Sequence, residues 1–159
     1  MEFFTLGVYN LSDEEFFYRL MENGIDTFCD IRQRRGVRGA KYCFVNSNRL
    51  QQRLANLNIR YLYVQNLAPT KEIREFQKKF DRKKGESKTD RRGLGDLFIE
   101  RYKESILSSF DFAAFFDTLQ SLSANRIAYF CVEQFPRACH RSLVADELFK
   151  RFGFRVTNL

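Results

Sequence analysis

A chain of 159 residues with 44% hydrophobic residues, among them 18 phenylalanines and 7 tyrosines, is long and apolar enough for one domain with a substantial core. Its 27 lysines and arginines exceed its 20 aspartates and glutamates, and the formal charge of +7 disfavours small cations as ligands and favours polyanions, although many proteins are basic without a ligand. The four cysteines have no paired spacing, and no stretch has a leader pattern or the length of a membrane span, so we expect a soluble cytoplasmic protein with reduced thiols.

The first third of the chain predicts alternating strands and helices. Residues 2–9 form an aromatic and β-branched run, and Ser12 with Glu15 makes a capping box that begins a helix. Residues 25–31 predict a second strand, which leads into a basic loop at 33–41 whose glycines allow the backbone to approach a ligand closely. The elements that follow are a helix at about 46–57 and a strand at 59–64.

The middle of the chain is dominated by charge. Between Asp81 and Arg92 no side chain is apolar, so residues 78–92 are predicted to form an exposed insertion or a mobile loop. Two helices are predicted next, at about 94–108 and 110–122. Their aromatic residues are expected in the core rather than at a ligand, and these are Phe98, Tyr102, Phe112, Phe115 and Phe116.

The last third predicts a strand, a helix and a final strand. Residues 127–132 are apolar throughout, which is typical of a strand buried on both faces at the centre of a sheet. After a loop at 133–137, a helix ends at Gly153 and a strand follows at 154–157. This alternation predicts an α/β fold, a single three-layer domain over residues 1–159 with a mostly parallel sheet and helices on both faces. Periodicity leaves the strand order open.

Two segments are expected beyond the carboxyl ends of the strands, where open parallel sheets bind their ligands. One is Asp30-Ile31-Arg32, and the other is Cys139-His140-Arg141, near the first turn of a helix whose free N–H groups and dipole favour anions. His140, the only histidine, is a candidate acid or base near neutral pH, with Asp30 and Glu133 as the other candidate catalytic residues. The candidate phosphate-binding residues are Arg32, Arg141 and Cys139.

Each of these residues also has a purely structural interpretation. The structural alternative for His140 is a surface or capping histidine, and that for Cys139 is a small buried thiol, which is the commoner fate of such a residue. Asp30 and Arg32 suit a structural ion pair, and Arg141 suits a pairing with Glu133 or Asp30 inside the protein. The sequence leaves these alternatives open.

Two sharper kinds of site are disfavoured. Cys131, five further residues and Arg137 have the spacing of a cysteine-dependent phosphatase loop, but Pro136 has no N–H for a phosphate and the charge of Glu133 repels one. The four cysteines and His140 lack the spacing of a metal site. We therefore predict neither a metal nor another cofactor.

The basic loop is a candidate nucleic-acid contact, because no acid separates Arg32 from Lys41. Its candidates for contacts with phosphates are Arg34, Arg35, Arg38 and Lys41, and Tyr42 and Phe44 are available for base stacking. The charged insertion is instead expected to be a solvated face, because acids interrupt its basic residues.

In three motifs the chain resembles the family called domain of unknown function 488, or DUF488. The motifs are Thr5-Leu6-Gly7, Asp30-Ile31-Arg32 and Cys139-His140-Arg141, and Cys131-Val132-Glu133 followed by Pro136 matches the family's strand-loop-helix signature. The resemblance runs over nearly the whole chain, including Phe44, Asn46 and Tyr102. It implies a compact α/β fold with the motifs gathered at one end of the sheet, and it supplies no reaction.

The chain departs from the family pattern at two places. Val8-Tyr9 stands where the family commonly has a polar His-Ser, and Leu67-Ala68-Pro69 stands where it has Leu-Gly-Gly. The resemblance therefore implies that two walls of the site are altered here, while the motif residues remain intact, and these are Asp30, Arg32, Glu133, His140 and Arg141.

These observations predict a hydrolase-like enzyme, or a degenerate enzyme, that acts on a phosphate-bearing substrate such as a nucleotide or nucleic acid. The alternative is a non-catalytic DNA- or RNA-binding module in which the same arginines contact phosphates. The predicted partners are thus nucleic acid or a phosphorylated small molecule, with no membrane, and the sequence does not indicate an oligomeric state.

Overall fold

Five parallel strands form the single sheet of the computed structural model, which describes residues 1–159. In sheet order they are β3 (Arg60–Tyr63), β2 (Thr27–Asp30), β4 (Arg126–Phe130), β1 (Glu2–Leu6) and β5 (Val156–Asn158). The most apolar strand, β4, lies at the centre, as its continuous hydrophobicity predicted. Both Leu6 of β1 and Asp30 of β2 lie opposite Phe130, so the carboxyl ends of the three central strands are level with one another.

Six α-helices connect and flank the strands. They are α1 (Asp13–Glu22), α2 (Ser47–Asn56), α3 (Lys71–Lys84), α4 (Asp96–Tyr102), α5 (Phe112–Ser121) and α6 (His140–Phe152). The predicted capping box begins α1, because the Ser12 hydroxyl accepts from the Glu15 N–H and the Glu15 carboxylate accepts from the Ser12 N–H. A π-helical turn, Lys103–Leu107, continues α4. No helix combines the length and the hydropathy that crossing a bilayer requires.

Helices cover both faces of the sheet and give three layers. Neighbouring residues of β4 point to opposite faces, as residues of a strand must. Phe130 meets Phe16 of α1 with ring centroids 5.3 Å apart, whereas Tyr129 meets Phe115 of α5 at 6.2 Å. The buried hydrophobic residues of both faces belong to one cluster of 36 residues. The predicted three-layer α/β fold is confirmed, and the sheet is parallel throughout.

The aromatic residues predicted to lie in the core do so. Phe98, Tyr102, Phe112 and Phe115 are buried, and Phe116 packs against the same cluster from a half-buried position. The hydroxyl of Tyr102, which lies in the interior, donates to the Leu67 carbonyl at 2.6 Å.

The central strands are shorter than their apolar sequence runs predicted. After β1 the chain leaves the sheet at Gly7-Val8-Tyr9, and after β4 it leaves at Cys131-Val132-Glu133. The Val132 carbonyl accepts from the N–H groups of both Val8 and Tyr9, at 3.1 and 3.0 Å. The apolar residues Val8, Tyr9 and Val132 are therefore buried by packing beyond the end of the sheet.

The charged middle of the chain differs most from its prediction. The predicted insertion or loop at 78–92 is wrong through Lys84, because these residues belong to α3, which Gly85 ends in the left-handed conformation with φ 65°. The predicted exposure is confirmed for Lys78, Lys83 and Lys84. Gln77 and Asp81 of α3 are buried. The Gln77 side chain accepts from the Gly95 N–H at 3.0 Å and donates to Asp81 at 2.7 Å. Internal pairing of polar side chains thus lets a charged helix pack against α4.

Candidate active site

The carboxyl ends of β1, β2 and β4 bring the sequence motifs together. The Nε2–H of His140, in the first turn of α6, donates to the Ile31 carbonyl at 3.0 Å and joins that helix to the segment after β2. The bonds to the Val132 carbonyl join the segments after β1 and β4. The three motif segments are therefore neighbours at one end of the sheet.

A cavity of about 590 Å³ opens at this end of the sheet. Its volume lies within the roughly 300–1,000 Å³ typical of sites for small molecules. Four buried residues that line it, here called the cavity floor, are Cys131, Glu133, Cys139 and His140. Its eight basic lining residues are Arg32, Arg34, Arg38, Arg74, Lys78, Arg82, Lys88 and Arg91, and its three acidic ones are Asp81, Glu86 and Glu133. The excess of basic groups favours an anionic ligand.

Asp30, a predicted catalytic residue, is fully buried and does not line the cavity. It accepts from Nε and Nη2 of Arg32 at 2.8 and 2.7 Å, from the Arg32 N–H at 3.1 Å and from the Tyr61 hydroxyl at 2.8 Å. These bonds occupy the carboxylate and fix the guanidinium. Arg32 is 3% exposed and lines the cavity, and its Nη1 is buried without a hydrogen-bond partner. Asp30 thus holds Arg32 in place with one donor free.

Glu133 contributes a buried carboxyl to the floor. Its Oε2 accepts from the Cys131 thiol at 3.1 Å, its Oε1 accepts from Arg91 Nη1 at 3.4 Å, and Lys88 Nζ lies 3.9 Å from the same oxygen. Burial raises the pKa of Glu133 and the charge of Cys139 raises it further, while Lys88 and Arg91 only partly offset these effects. A carboxyl with a raised pKa can donate a proton near neutral pH.

Cys139 and His140 form a buried pair at the beginning of α6. Cys139 is the N-cap residue, and its Sγ lies 3.7 Å from Nδ1 of His140. Because the Ile31 carbonyl can only accept, Nε2 of His140 carries a proton and Nδ1 is the nitrogen that faces the sulfur.

The electrostatics of this pair favour a thiolate beside an imidazolium. Burial raises the pKa of the Cys139 thiol, but a hydrogen bond with Cys131 and the positive charges of His140 and Arg141 outweigh it and hold that pKa well below its usual range. Burial lowers the pKa of His140, but the charge and hydrogen bond of Cys139, the charge of Glu133 and the bond to the Ile31 carbonyl together outweigh it, so the net direction is upward. The Cys131 thiol, by contrast, has its pKa raised well above the usual value by its bond with Cys139 and by burial.

Arg141 is a predicted phosphate-binding residue that the structure places on the protein backbone instead. It is 1% exposed and does not line the cavity. Its Nη1 donates to the Glu133 carbonyl at 2.5 Å and its Nη2 donates to the Gln134 carbonyl at 2.9 Å, so neither suggested carboxylate is its partner. Gly7 lies against the same loop, where a Cβ would collide with the Glu133 carbonyl. The bonds from Arg141 and the close approach that glycine allows at position 7 together set the position of Glu133.

The basic loop divides into two pairs of residues. Arg34 and Arg38 line the cavity. Arg35 lies over the Tyr63 ring, 4.3 Å from its centroid, and Lys41 lies 5.2 Å from that of Tyr42, so neither lines the cavity.

The expected stacking platform of the basic loop is not present. Tyr42 is buried, and its hydroxyl accepts from the Asn10 N–H at 3.0 Å. Phe44 packs on Phe16 and Phe17, with ring centroids 5.7 and 6.2 Å apart. Both rings serve the core because the loop folds back onto α1.

The two departures from the DUF488 pattern do reach the site. Tyr9 and Pro69 both line the cavity. Lys88 Nζ lies 6.0 Å from the centroid of the Tyr9 ring, within the range of a cation–π contact. These positions therefore shape the cavity, whereas Val8 is buried in the core.

One side of the cavity is formed by α3, and this wall was not predicted from the sequence. Arg74, Lys78 and Arg82 are spaced four residues apart and line the cavity from one side of this helix. Asp81, which interrupts the basic residues in sequence, accepts from Nη2 of Arg91 at 2.5 Å and from its Nε at 3.0 Å. The four-residue spacing of the three basic residues was the signal that could have revealed this wall.

Three floor residues could hold a metal ion. The ligand atoms of Cys131, Cys139 and His140 lie within 4.8 Å of one another, and thiolates with an imidazole suit Zn²⁺. Basic residues such as Arg32 and Lys88 line the same cavity and raise the free energy of a divalent cation there. The absence of a metal stays a prediction.

Comparison with known proteins gave one match. A family model described as domain of unknown function DUF488 matches residues 12–148. The matched range contains Asp30-Ile31-Arg32 and Cys139-His140-Arg141, while Thr5-Leu6-Gly7 precedes it. No curated protein and no solved structure matches the chain.

Proposed function

The chain belongs to the DUF488 family, and on that premise we propose that it is a hydrolase-like enzyme, or a degenerate form of one, that acts on a phosphate-bearing substrate. One observation carries the proposal. Eight basic side chains surround a cavity whose floor holds a buried carboxyl, thiol and imidazole, Glu133, Cys139 and His140. This combination supplies both anion binding and proton transfer.

Arg32 is the residue proposed to hold the phosphate. Its guanidinium is oriented by two bonds to Asp30 and is almost fully buried, and its free Nη1 needs an acceptor. A buried donor without a partner costs about 1–3 kcal/mol, which an anionic ligand would recover. Asp30 and Arg141 are proposed as positioning residues, because neither lines the cavity.

Glu133 and His140 are the groups proposed to move protons. Both are buried in the floor, and the pKa of each is shifted upward. A raised pKa lets a group keep its proton to a higher pH than the free side chain does, which suits general acid–base catalysis.

The size of the cavity favours a nucleotide-sized substrate over a nucleic-acid strand. About 590 Å³ accommodates a small molecule, and the cavity descends to buried groups. The rival function, a non-catalytic DNA- or RNA-binding module, has less support because the candidate stacking rings Tyr42 and Phe44 pack within the protein and Arg35 lies over the Tyr63 ring.

The test is hydrolysis by the full chain of p-nitrophenyl phosphate, nucleoside monophosphates, bis-p-nitrophenyl phosphate and short DNA and RNA. We expect turnover of a monoester, and a loss of about a hundredfold or more in His140→Ala and Glu133→Gln. Arg137→Ala is the matched control, since this exposed arginine does not line the cavity. Circular dichroism should show that each variant is folded.

Two results would count against this proposal. Unchanged turnover in both His140→Ala and Glu133→Gln removes their catalytic role. Absence of any turnover, together with salt-sensitive binding of DNA or RNA that Arg34→Ala and Arg38→Ala weaken, would favour the binding module instead.

A further inference from the structure

The sulfur of Cys139 is the one strong nucleophile in the cavity that the proposed function leaves unused. Cys139 lines the cavity and makes no side-chain cap of α6, so its sulfur is not engaged with the helix backbone. His140 Nδ1 is 3.7 Å away. A cysteine paired with an imidazolium is a typical activated nucleophile.

Two features of the cavity that Cys139 lines point to an anion. The Ser142 N–H donates to the Cys139 carbonyl at 3.1 Å, which leaves the N–H groups of His140 and Arg141 as the open donors of α6, and the dipole of this 13-residue helix favours negative charge there. Arg32, whose neighbour Ile31 is bonded to His140 of the floor, lines the cavity, and its buried Nη1 has no hydrogen-bond partner. An anion bound at this end of the sheet would thus have donors from both elements.

The other cysteine of the floor does not suit this role. The Cys131 thiol donates to Glu133 at 3.1 Å and keeps its proton. Arg137, which would complete the spacing of a phosphatase loop with Cys131, is exposed and does not line the cavity. The spacing in sequence therefore does not describe the site.

We propose that Cys139 is a covalent nucleophile toward phosphate monoesters. Arg32 and the N-terminus of α6 bind the phosphate group of the substrate, and Glu133 acts first as the acid and then as the base. The inference rests on the proposed function and adds the class of substrate and the intermediate. It differs from a Cys131 loop because the nucleophile follows the loop and stands at the start of the helix.

The first step transfers the phosphoryl group to the enzyme. The Cys139 thiolate attacks phosphorus and forms an S–P bond while the bond from phosphorus to the leaving oxygen breaks. The protonated Glu133 carboxyl gives its proton to that oxygen, and the alcohol departs. His140, as imidazolium, stabilises the thiolate before the attack.

The second step restores the enzyme. Water attacks phosphorus, the Glu133 carboxylate takes one of its protons, and the S–P bond breaks to return the Cys139 thiolate and release inorganic phosphate. Protons and charges balance over the two steps, and neither a metal nor an oxidant takes part.

The direct test traps the intermediate. The full chain is incubated with p-nitrophenyl phosphate, denatured rapidly and mapped by mass spectrometry. We expect phosphate on Cys139, with a higher occupancy in Glu133→Gln because the second step lacks its base. Cys139→Ser should lose both adduct and turnover, whereas Cys43→Ser, at a half-buried cysteine outside the cavity, should keep both.

A second measurement does not depend on the folding of a variant. In the wild type, iodoacetamide at about pH 6, well below the usual thiol pKa of about 8.5, should label Cys139 in preference to the other three cysteines. Inorganic phosphate or vanadate should protect it.

The outcomes separate this inference from the proposed function. Turnover that survives Cys139→Ser, or no adduct on Cys139 in either wild type or Glu133→Gln, overturns the nucleophile; the proposed function stands if turnover persists. Turnover that chelation abolishes and Zn²⁺ restores overturns it in favour of a metal at Cys131, Cys139 and His140. Adduct and protection together support it.

Discussion

The cavity floor and α3 line the same cavity, but they differ in how their charges are arranged. The floor places a few titratable groups in the interior, where each has a fixed partner, as Glu133 does with Cys131 and Arg91. α3 presents Arg74, Lys78 and Arg82 along one side, and its buried Asp81 is neutralised by Arg91. The floor is therefore suited to proton transfer, and α3 is suited to attracting an anionic substrate.

Because of this difference, removing a charged side chain is expected to change the free energy of unfolding by different amounts in the two regions. A charge in the floor is separated from water, so removing its partner leaves an uncompensated buried ion. A charge on the exposed side of α3 is screened by solvent, and its removal changes the free energy of unfolding little. Four predictions test the comparison, from the largest expected effect to the smallest.

The largest effect is expected for Asp30→Ala. This change leaves the buried Arg32 guanidinium without its carboxylate, and we expect the free energy of unfolding to fall by about 3–5 kcal/mol. Urea unfolding followed by circular dichroism measures it. Asp30→Asn, which keeps the shape and part of the hydrogen bonding, should lose less, and a loss below 1 kcal/mol for Asp30→Ala would contradict the buried-ion argument.

Asp81→Ala tests the buried part of α3. Arg91 would lose three hydrogen bonds, made by its Nε and Nη2, and Gln77 would lose its acceptor, so we expect a loss of about 1–3 kcal/mol in the free energy of unfolding. Asp90→Ala is the control, because Asp90 is an exposed acid of the same stretch. Equal losses in the two variants would mean that the pairing with Arg91 does not hold this region against α3.

The pH dependence of Glu133→Gln tests the floor electrostatics. The folded pKa of Glu133 is raised above the unfolded value of about 4.3, so its contribution to stability is present below that pH and is lost as pH rises through the folded pKa. Glutamine stays neutral, so the variant should match the wild type near pH 4 and become the more stable protein as pH rises to 7. Thermal unfolding across this range measures the difference in stability. A variant that is destabilised equally at every pH would contradict the raised pKa of Glu133 in the folded protein.

The smallest effect is expected for Arg82→Ala on the exposed side of α3. We expect the free energy of unfolding to change by less than about 0.5 kcal/mol and the affinity for inorganic phosphate to fall roughly two- to fivefold. Lys83→Ala removes the adjacent exposed charge, which does not line the cavity, and should leave affinity unchanged. Similar losses of affinity in both variants would mean that α3 attracts phosphate through its total charge and not through the residues that line the cavity.

The floor and the Asp30 segment beside it could be anticipated because their residues stand at recognisable places. Asp30 ends an apolar strand, Glu133 follows another, and His140 follows a loop before an amphipathic helix, so a parallel sheet must place them at one end. The sequence could not separate the residues that line the cavity from those that support it. Asp30 and Arg141 have the same residue types as ligand-binding groups, and only their partners distinguish them.

The wall of α3 could not be anticipated from the alternation of charges. Acids between basic residues are typical of a solvated face, yet here Asp81 turns inward and pairs with Arg91, ten residues further along the chain. Such a pairing depends on how the segment after α3 returns across the helix. Periodicity within α3 alone contains no information about that return.

The sequence by itself determined the α/β alternation, the central position of β4 and the grouping of its motifs, because these follow from local hydrophobicity and from the geometry of parallel strands. Only the tertiary structure decided that Cys139 faces His140 in a basic cavity, that Arg141 binds backbone carbonyls and that α3 forms a wall. Those arrangements depend on contacts between residues far apart in the chain, and on the burial that makes a buried charge require a partner.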